Sequence, residues 1–417
     1  MELSLGIDFG TSGARAIVIN SNHEIVAQVS DRFTPAIDLA ENWKQTLWKL
    51  LEALPIEVRS QLSRIAINGT SSTVLLCDRA GDPITAPLLY NDSCGASVLE
   101  QIRAIAPAQH TVMSATSSLA KLLWWQSNCE SFANAQSFLH QADWLAFQLH
   151  GELGISDYHN SLKLGYDVEQ LSYPDWLPLQ TLMPIVVAPG SPIAVIRPTI
   201  AQAFHMPHRC QICAGTTDSI AAFIAAQANS VGEAVTSLGS TLVLKLLSEA
   251  RIDRAEFGIY SHRFGTRWLV GGASNTGGAV LQHFFTSDEL IELSDRIPNG
   301  ESPLDYYPLL KPGERFPIND PTLAPRLEPR SSDRVEFLHG LLESMARIEA
   351  QGYRQLESFG ATPLKRILTA GGGAKNSAWT AIRQRQIGVP VTAAAQTEAA
   401  YGTAQLAMQG SLETVLD

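Results

Sequence analysis

The sequence contains little charge, few cysteines and no long apolar run. Charged residues occupy 17% of its 417 positions, whereas apolar residues occupy 45%. A disordered chain carries more charge and too few apolar residues to form a core, so disorder is excluded as the main state. The length fits two large domains, each able to bury a core without disulfides or metal ions.

The missing apolar run also bears on location. No stretch approaches the ~18 apolar residues that span a bilayer, and residues 1–5 lack the basic region that begins a secretory signal. Five scattered cysteines, an odd number, fit reduced thiols better than a set of disulfides. We therefore expect a cytoplasmic protein without membrane contacts.

Clusters of positive charge are absent as well. The 30 Lys and Arg residues are outnumbered by 41 Asp and Glu residues, which gives a net charge of −11. Such an acidic chain repels the phosphodiester backbone, so we expect no nucleic-acid partner. Any phosphate group must then be held by local features.

Cys210 and Cys213, preceded by His205 and His208, are residue types that bind zinc. Four ligands within nine residues leave almost no loop between the two pairs, which a tetrahedral site needs. A zinc site is therefore the weaker interpretation. The stronger one is a loop followed by a buried strand.

Strands and helices alternate along the chain, which predicts the α/β fold class. Two hairpins turn through Gly and hydroxyl residues at positions 10–13 and 239–241. They begin the two halves of the chain, which indicates internal duplication; two unrelated hairpins are the alternative, because such turns are common. We place the domains at residues 1–228 and 229–398, followed by a helix within 399–417.

Two local patterns complete the outline. The run from Asp38 to Glu41 has the spacing of a capping box and predicts a helix from that point. Residues 298–329 contain eight of the 22 prolines, which predicts either an extended ordered loop or a linker.

Asp8 ends the first apolar strand, and the turn at residues 10–13 follows directly. Glycines permit positive φ angles that point successive N–H groups at an anion, so this turn could hold phosphate. A carboxylate beside phosphates is a common ligand of Mg²⁺. The spacing matches neither the Walker A loop nor G-x-G-x-x-G, and an ordinary hairpin turn is the alternative interpretation.

Asp218 lies between an apolar strand and an alanine-rich segment, at a predicted turn from strand to helix. It could cap the helix, or it could act as a general base that accepts a proton from a substrate hydroxyl. Gly371, Gly372 and Gly373 also lie between a strand and a helix. They permit either the close approach of a flat ligand or tight packing of the helix on the strand.

The motifs of this chain, and their order along it, resemble those of the FGGY carbohydrate kinases. The matching segments, given as they stand here, are Gly6-Ile7-Asp8-Phe9-Gly10-Thr11-Ser12, Gly69-Thr70-Ser71-Ser72-Thr73, Tyr90-Asn91-Asp92, Ala214-Gly215-Thr216-Thr217-Asp218, Thr236-Ser237-Leu238-Gly239-Ser240-Thr241, Gly313-Glu314-Arg315-Phe316-Pro317, and Gly371–Ala374 with Glu398 to Ala404. The resemblance extends over nearly the whole chain. It implies a two-domain actin-like ATPase fold with ribonuclease H-like halves, an interdomain cleft and a last helix that returns to the first domain.

The resemblance also implies roles for individual residues. Asp218 would be the catalytic base, and Asp8 would hold Mg²⁺. The remaining expected contacts are Thr11, Ser12, Gly13, Gly239 and Ser240 with the phosphates of ATP; Gly372, Gly373, Asn376 and Trp379 with adenosine; and Asp8, Ser72, Asp218 and Ser219 with the sugar.

The expected acceptor follows from residues 69–73. Ser and Thr stand there where many family members have Gln, Met and His, and the chain is short, which resembles the branch of D-ribulose and D-xylulose kinases. We expect ATP-dependent phosphorylation of D-ribulose to D-ribulose 5-phosphate by a monomer or small homo-oligomer. The alternatives are D-xylulose, glycerol, another polyol or a hexose as acceptor, or a nucleotide-operated switch that is not a kinase.

Overall fold

The computed structural model describes residues 2–34 and 38–414. The end of the predicted segment 399–417 therefore lies outside the described residues. Contacts divide the chain into two units: the described residues up to Ala225 and from Glu398 onward form the first, and Ala226–Thr397 form the second. The boundaries expected from the sequence, after residues 228 and 398, stay a prediction.

The first unit is built around one large mixed sheet. The strands of the whole unit are β1 (Leu3–Phe9), β2 (Gly13–Ile19), β3 (Ile25–Arg32), β4 (Leu62–Gly69), β5 (Val74–Cys77), β6 (Ser137–His140), β7 (Ile155–Asp157), β8 (Ile185–Val187), β9 (Pro192–Val195), β10 (Gln211–Cys213) and β11 (Thr216–Thr217). The large sheet has the order β3-β2-β1-β4-β10-β9, and β11 also pairs with β4. The first predicted hairpin is β1 with β2, and β10 is the buried strand expected at Cys213.

Helices cover this sheet. They are α1 (Leu39–Ala53), α2 (Ile56–Arg59), α3 (Leu99–Ile105), α4 (Ser118–Asn128), α5 (Gln141–His150), α6 (Tyr158–Ser161), α7 (Pro198–Ala203) and α8 (Asp218–Ala226). The predicted cap of α1 is confirmed, because the Asp38 side chain accepts from the backbone N–H groups of Ala40 and Glu41 at 3.0 and 3.2 Å.

The second unit contains a second sheet and a long buried helix. Its elements are strands β12 (Glu233–Leu238), β13 (Leu242–Ser248), β14 (Tyr260–Phe264), β15 (Arg267–Ser274), β16 (Arg366–Ala370) and β17 (Val391–Ala393), and helices α9 (Gly278–Phe284), α10 (Ser287–Ser294), α11 (Arg334–Ser358) and α12 (Ser377–Ile387). The sheet order is β14-β15-β13-β12-β16-β17. The second predicted hairpin is β12 with β13.

The proline-rich residues 298–329 form an ordered loop of the second unit. Glu314, which is 2% exposed, accepts from Ser274 Oγ at 2.5 Å and from the Asn275 backbone N–H at 2.6 Å. Phe316 lies in the core of the same unit. The prediction of an ordered loop is therefore confirmed, and the linker interpretation is wrong.

The last helix, α13 (Ala399–Gln409), packs against the first sheet. A Cβ atom on Gly6 of β1 would lie 2.1 Å from the Ala400 oxygen, and a Cβ atom on Gly402 would lie 1.9 Å from the Ala221 oxygen of α8. Glycine is required at both positions because backbone meets backbone. No helix within residues 2–34 and 38–414 has both the length and the apolar content to cross a membrane.

A buried ion pair joins the helices and strands of the second unit. Arg383 of α12 donates from Nε and Nη2 to the two carboxylate oxygens of Glu349 in α11, at 2.6 and 2.8 Å. Thr236 of β12 donates to the same carboxylate at 2.6 Å, and Arg383 also donates to Thr369 of β16 at 2.7 Å. The carboxylate is thus fully hydrogen-bonded inside the core.

We expect Arg383→Met to lower the free energy of unfolding by about 3–5 kcal/mol, because it leaves the Glu349 carboxylate buried without its cation. Urea unfolding of the second unit, followed by fluorescence, measures the change. Arg296→Met is the control, because Arg296 and Glu292 form an exposed pair 3.7 Å apart. A loss for Arg383→Met as small as that of the control would contradict the prediction.

Candidate functional site

Three parallel strands of the first unit end at the same edge of the sheet. Asp8 of β1 and Thr216 of β11 both pair with Asn68 of β4, from opposite sides. Asp218 follows β11 at once, as the first residue of α8. The structure therefore brings together Asp8 and Asp218, which are remote in sequence.

The two carboxylates repel each other. Burial and the charge of Asp218 raise the pKa of Asp8 to about 7, while Arg15, the partner of Asp8 on β2, and the Asn68 amide act in the opposite direction. Near neutral pH the pair therefore carries less than its full negative charge. A cation placed between these carboxylates would remove the repulsion.

The donor set fits Mg²⁺, which prefers oxygen ligands and is commonly bound through one or two carboxylates and substrate phosphates. The buried Asn68 Oδ1 also has no hydrogen-bond partner in the described part of the chain. No group of three or more His, Cys, Asp or Glu side chains among residues 2–34 and 38–414 is arranged to hold a metal ion by itself. A cation held here would complete its shell with water and substrate oxygens.

The Asp218 side chain is oriented by its own helix. Its Oδ1 accepts from the Ser219 backbone N–H at 2.7 Å. Asp218 is the first residue of α8. The strand before it is held by His159, whose Nδ1 lies 2.7 Å from Thr216 Oγ1.

The turn after Asp8 differs from its prediction in one respect. Thr11 and Ser12 are exposed, and the Gly10 N–H donates to the Gly13 oxygen at 3.0 Å. Gly10 and Gly13 do not have positive φ angles, so the expected reason for glycine is wrong. Gly13 is required because a Cβ atom there would lie 2.4 Å from the Asp31 oxygen of β3.

Residues 70–73 leave the end of β4 beside the carboxylate pair. Ser72 has a φ of 64° and is 2% exposed, and its Oγ has no hydrogen-bond partner among the described residues. Thr70 and Thr73 join their hydroxyl groups at 2.5 Å, and Gln141 Oε1 accepts from the Thr70 N–H at 3.1 Å. Residues 70–73 therefore follow the end of β4, the strand that lies between β1 with Asp8 and β11, which precedes Asp218 and Ser219.

The glycine loops of the second unit also share an edge. Ser237 of β12 pairs with Ala370 of β16, so both loops begin at the same level of the sheet. A Cβ atom on Gly371 would lie 2.6 Å from the Leu238 oxygen, whereas one on Gly372 would meet no atom within 4 Å. Gly372 therefore faces open space.

The turn at Gly239 and Ser240 is tied to the start of α9. The oxygens of Gly239 and Ser240 accept from the N–H groups of Gly278 and Ala279 at 2.8 and 3.1 Å. The two predicted phosphate residues thus have a fixed backbone next to the loop at Gly371–Gly373.

Two predicted adenosine contacts have structural tasks. Asn376 caps α12, because its Oδ1 accepts from the Trp379 N–H at 2.9 Å and its Nδ2 donates to Ser294 at 2.8 Å. Trp379 is 2% exposed, and a Cβ atom on Gly373 would lie 2.7 Å from its ring. The ring packs against Gly373 of the loop, and the expected contacts of Asn376 and Trp379 with adenosine stay a prediction.

The sequence interpretation missed Asn68, Lys121 and Gln141. Asn68 links the strands that carry the carboxylates, and its Nδ2 donates to Thr403 of α13 at 2.6 Å. Lys121 and Gln141 hold residues 70–73 from beneath. Only Lys121 had a signal in the sequence, as a single charge among the apolar residues of its helix.

Comparison with known proteins identifies this arrangement. The model for the N-terminal domain of the FGGY family of carbohydrate kinases matches residues 3–225, and the model for the C-terminal domain matches residues 234–410. Xylulose kinase from Escherichia coli is 24% identical over 411 residues, which cover 90% of this chain and 83% of that protein. L-fuculokinase from Salmonella typhi is 25% identical over 427 residues, covering 94% and 88%.

Solved structures show the same fold. Xylulose kinase from Rhodospirillum rubrum matches with a TM-score of 0.86 at 19% identity, over 99% of this chain and 92% of that chain. The predicted α/β fold of the two-domain, actin-like ATPase type is therefore confirmed.

The raised pKa of Asp8 predicts a pH-dependent gain in stability for Asp8→Asn. The pKa is about 7 in the folded chain and about 3.9 in an unfolded one, so ionisation of Asp8 weakens the fold as pH rises between these values. In EDTA, Asp8→Asn should unfold at a higher temperature than the wild type at pH 8, and the difference should shrink at pH 5.

Each kcal/mol corresponds to roughly 2–4 °C for a domain of this size. Differential scanning calorimetry measures the shift, and Asp175→Asn, at an exposed position, is the control. A lower midpoint for Asp8→Asn at pH 8 would contradict the electrostatic interpretation.

Proposed function

Because the chain belongs to the FGGY family of carbohydrate kinases, we propose that it transfers the terminal phosphoryl group of ATP to the primary hydroxyl of a ketopentose. The observation that carries this proposal is the pair of carboxylates, Asp8 and Asp218, on either side of β4. The Asp8 carboxylate is suited to bind a cation, and the Asp218 carboxylate is suited to accept a proton from the sugar hydroxyl. Phosphoryl transfer to an alcohol requires both.

Asp218 is the proposed general base. It accepts the proton of the sugar hydroxyl as that oxygen attacks the terminal phosphorus, which prevents positive charge from accumulating on the attacking oxygen. The bond from the Ser219 N–H holds one carboxylate oxygen and thereby orients the group. Ser72 and Ser219 are the proposed contacts to other sugar hydroxyls.

Asp8 is the proposed ligand of Mg²⁺ and a further proposed contact of the sugar. When bound, Mg²⁺ neutralises charge on the phosphates of ATP. Arg15, opposite Asp8, forms an ion pair with Glu398 that is about half exposed. This pair holds the start of α13 next to the strand that carries Asp8.

The proposed nucleotide contacts are backbone groups, because backbone N–H groups can hold phosphates without a basic cluster. They come from Thr11, Ser12 and Gly13 in the first unit and from Gly239 and Ser240 in the second. Gly372, with open space where a side chain would stand, is the proposed point of approach for adenosine. Gly373 and Asn376, in the same loop, are further proposed contacts of adenosine.

The identity of the ketopentose is the finer part of the proposal. Residues 69–73 led us to expect D-ribulose, but relatives named xylulose kinase favour its epimer D-xylulose. The epimers differ in the orientation of one hydroxyl group. A site built from hydrogen-bonding groups should discriminate between them.

We expect Asp218→Ala to lower kcat by about 10²- to 10⁴-fold, because the general base is lost. A coupled assay of ADP formation measures kcat at saturating sugar and ATP. Asp175→Ala is the control, because Asp175 is an exposed aspartate of the same unit. Turnover at the wild-type level in Asp218→Ala would rule out the base.

We expect D-xylulose to give the highest kcat/KM in a panel that also contains D-ribulose, L-fuculose, gluconate and glycerol. The same ADP assay ranks these acceptors. A higher kcat/KM for D-ribulose would restore the expectation from residues 69–73. ADP formation that no acceptor stimulates would contradict the kinase proposal.

A further inference from the structure

Lys121 of α4 has no exposed surface. Its Nζ donates to the backbone oxygens of Ser72 at 2.8 Å and of Leu89 at 2.5 Å. Burial lowers the pKa of Lys121 to about 8, with Lys163 acting in the same direction and Asp92 and Cys94 in the opposite one. Removing an ammonium group from water is unfavourable, and the two hydrogen bonds to carbonyl oxygens offset part of that penalty.

The first of these oxygens belongs to Ser72, a strained residue within residues 70–73. Ser72 has a φ of 64°, a left-handed conformation that is unfavourable for a residue with a side chain. The bond from Lys121 holds the backbone of Ser72 in place. The Ser72 hydroxyl is buried and has no hydrogen-bond partner in the described part of the chain.

The second oxygen belongs to a neighbouring segment. Val74 and Leu88 exchange two backbone hydrogen bonds of 2.9 and 3.0 Å, and the Tyr90 N–H donates to Thr73 Oγ1 at 3.0 Å. Lys121 adds a bridge between Ser72 and Leu89. This bridge lies at the end of the backbone pairing between Val74 and Leu88, where residues 70–73 and residues 90–92 diverge.

The helix that carries Lys121 is itself anchored. Ser118, one turn earlier, has its Oγ 3.1 Å from His140 Nε2, and His140 Nδ1 lies 3.1 Å from Asp143 Oδ2. These are the residue types of a hydrolytic triad. Ser118 has no exposed surface, however, so the chain of bonds fixes the start of α4 and does not act on a substrate.

We propose that Lys121 is a positioning residue of the acceptor site. By joining Ser72 to Leu89, it holds residues 70–73 and 90–92 at the spacing that the sugar hydroxyls require. The inference rests on the proposed function, because it assigns these two segments to the sugar. It predicts that replacing Lys121 changes the binding of the sugar and does not change the binding of ATP.

The test replaces Lys121 with methionine, which keeps the length of the side chain and removes its three donors. We expect the KM for the ketopentose to rise roughly 10- to 100-fold, because small displacements of binding groups are costly. The KM for ATP should stay within about twofold of the wild type. Lys49→Met is the control; Lys49 is half-exposed and 3.5 Å from Asp31.

Hydrogen exchange gives a second measurement without turnover. In Lys121→Met the amides of Val74 and Tyr90 should exchange faster than in the wild type, and those of β2 should not change. Equal exchange at Val74 and Tyr90, an unchanged KM for the sugar, or equal rises in both KM values would overturn the proposal. If Lys121→Met does not fold, Lys121→Gln, which keeps one amide donor group, is put through both measurements.

The two proposals fail in different ways. A wild type that phosphorylates no sugar of the panel refutes the proposed function, and the role of Lys121 is refuted with it. A wild type that uses a ketopentose, together with a folded Lys121→Met that matches it in sugar KM, refutes only the role of Lys121.

Discussion

The parallel pairing of β4 with β1 and β11 is the constraint on which the rest of the first unit depends. Asn68 in β4 lies between Asp8 and Thr216; Asp8 is the next-to-last residue of β1, and Asp218 directly follows β11. Parallel strands place their carboxyl ends at one edge, where helices and loops begin. Any shift of either strand against β4 would separate the two carboxylates.

This arrangement has an electrostatic cost that the fold carries when no ligand is bound. Burial and the like charge of Asp218 raise the pKa of Asp8, and no set of three or more His, Cys, Asp or Glu side chains in the described ranges is arranged to hold a metal ion. Functional sites are commonly less stable than the rest of a protein for this reason. The tight backbone contacts of Gly6 and Gly402 and the bond from Asn68 to Thr403 hold the surrounding strands and α13 in register.

In the second unit, the candidate site consists of neutral backbone groups in two glycine loops. Its two glycine loops lie side by side because β12 and β16 are parallel neighbours, and a buried ion pair between Arg383 and Glu349 fixes the helices beneath them. Trp379 fills the space under Gly373. The loops are therefore supported by a rigid core, although their own residues are small.

Sequence alone determined the fold class, the two hairpins, the cap at Asp38 and the family, because these depend on local spacing and on the order of motifs. It also predicted site roles for Asp8, Asp218, Ser72 and the glycine loops, and these roles stay a proposal. Only the tertiary structure revealed the contacts of Lys121, Asn68 and Trp379, and the reason for glycine at Gly13. Burial and contacts between remote segments decide those points, and neither can be read from neighbouring residues in the chain.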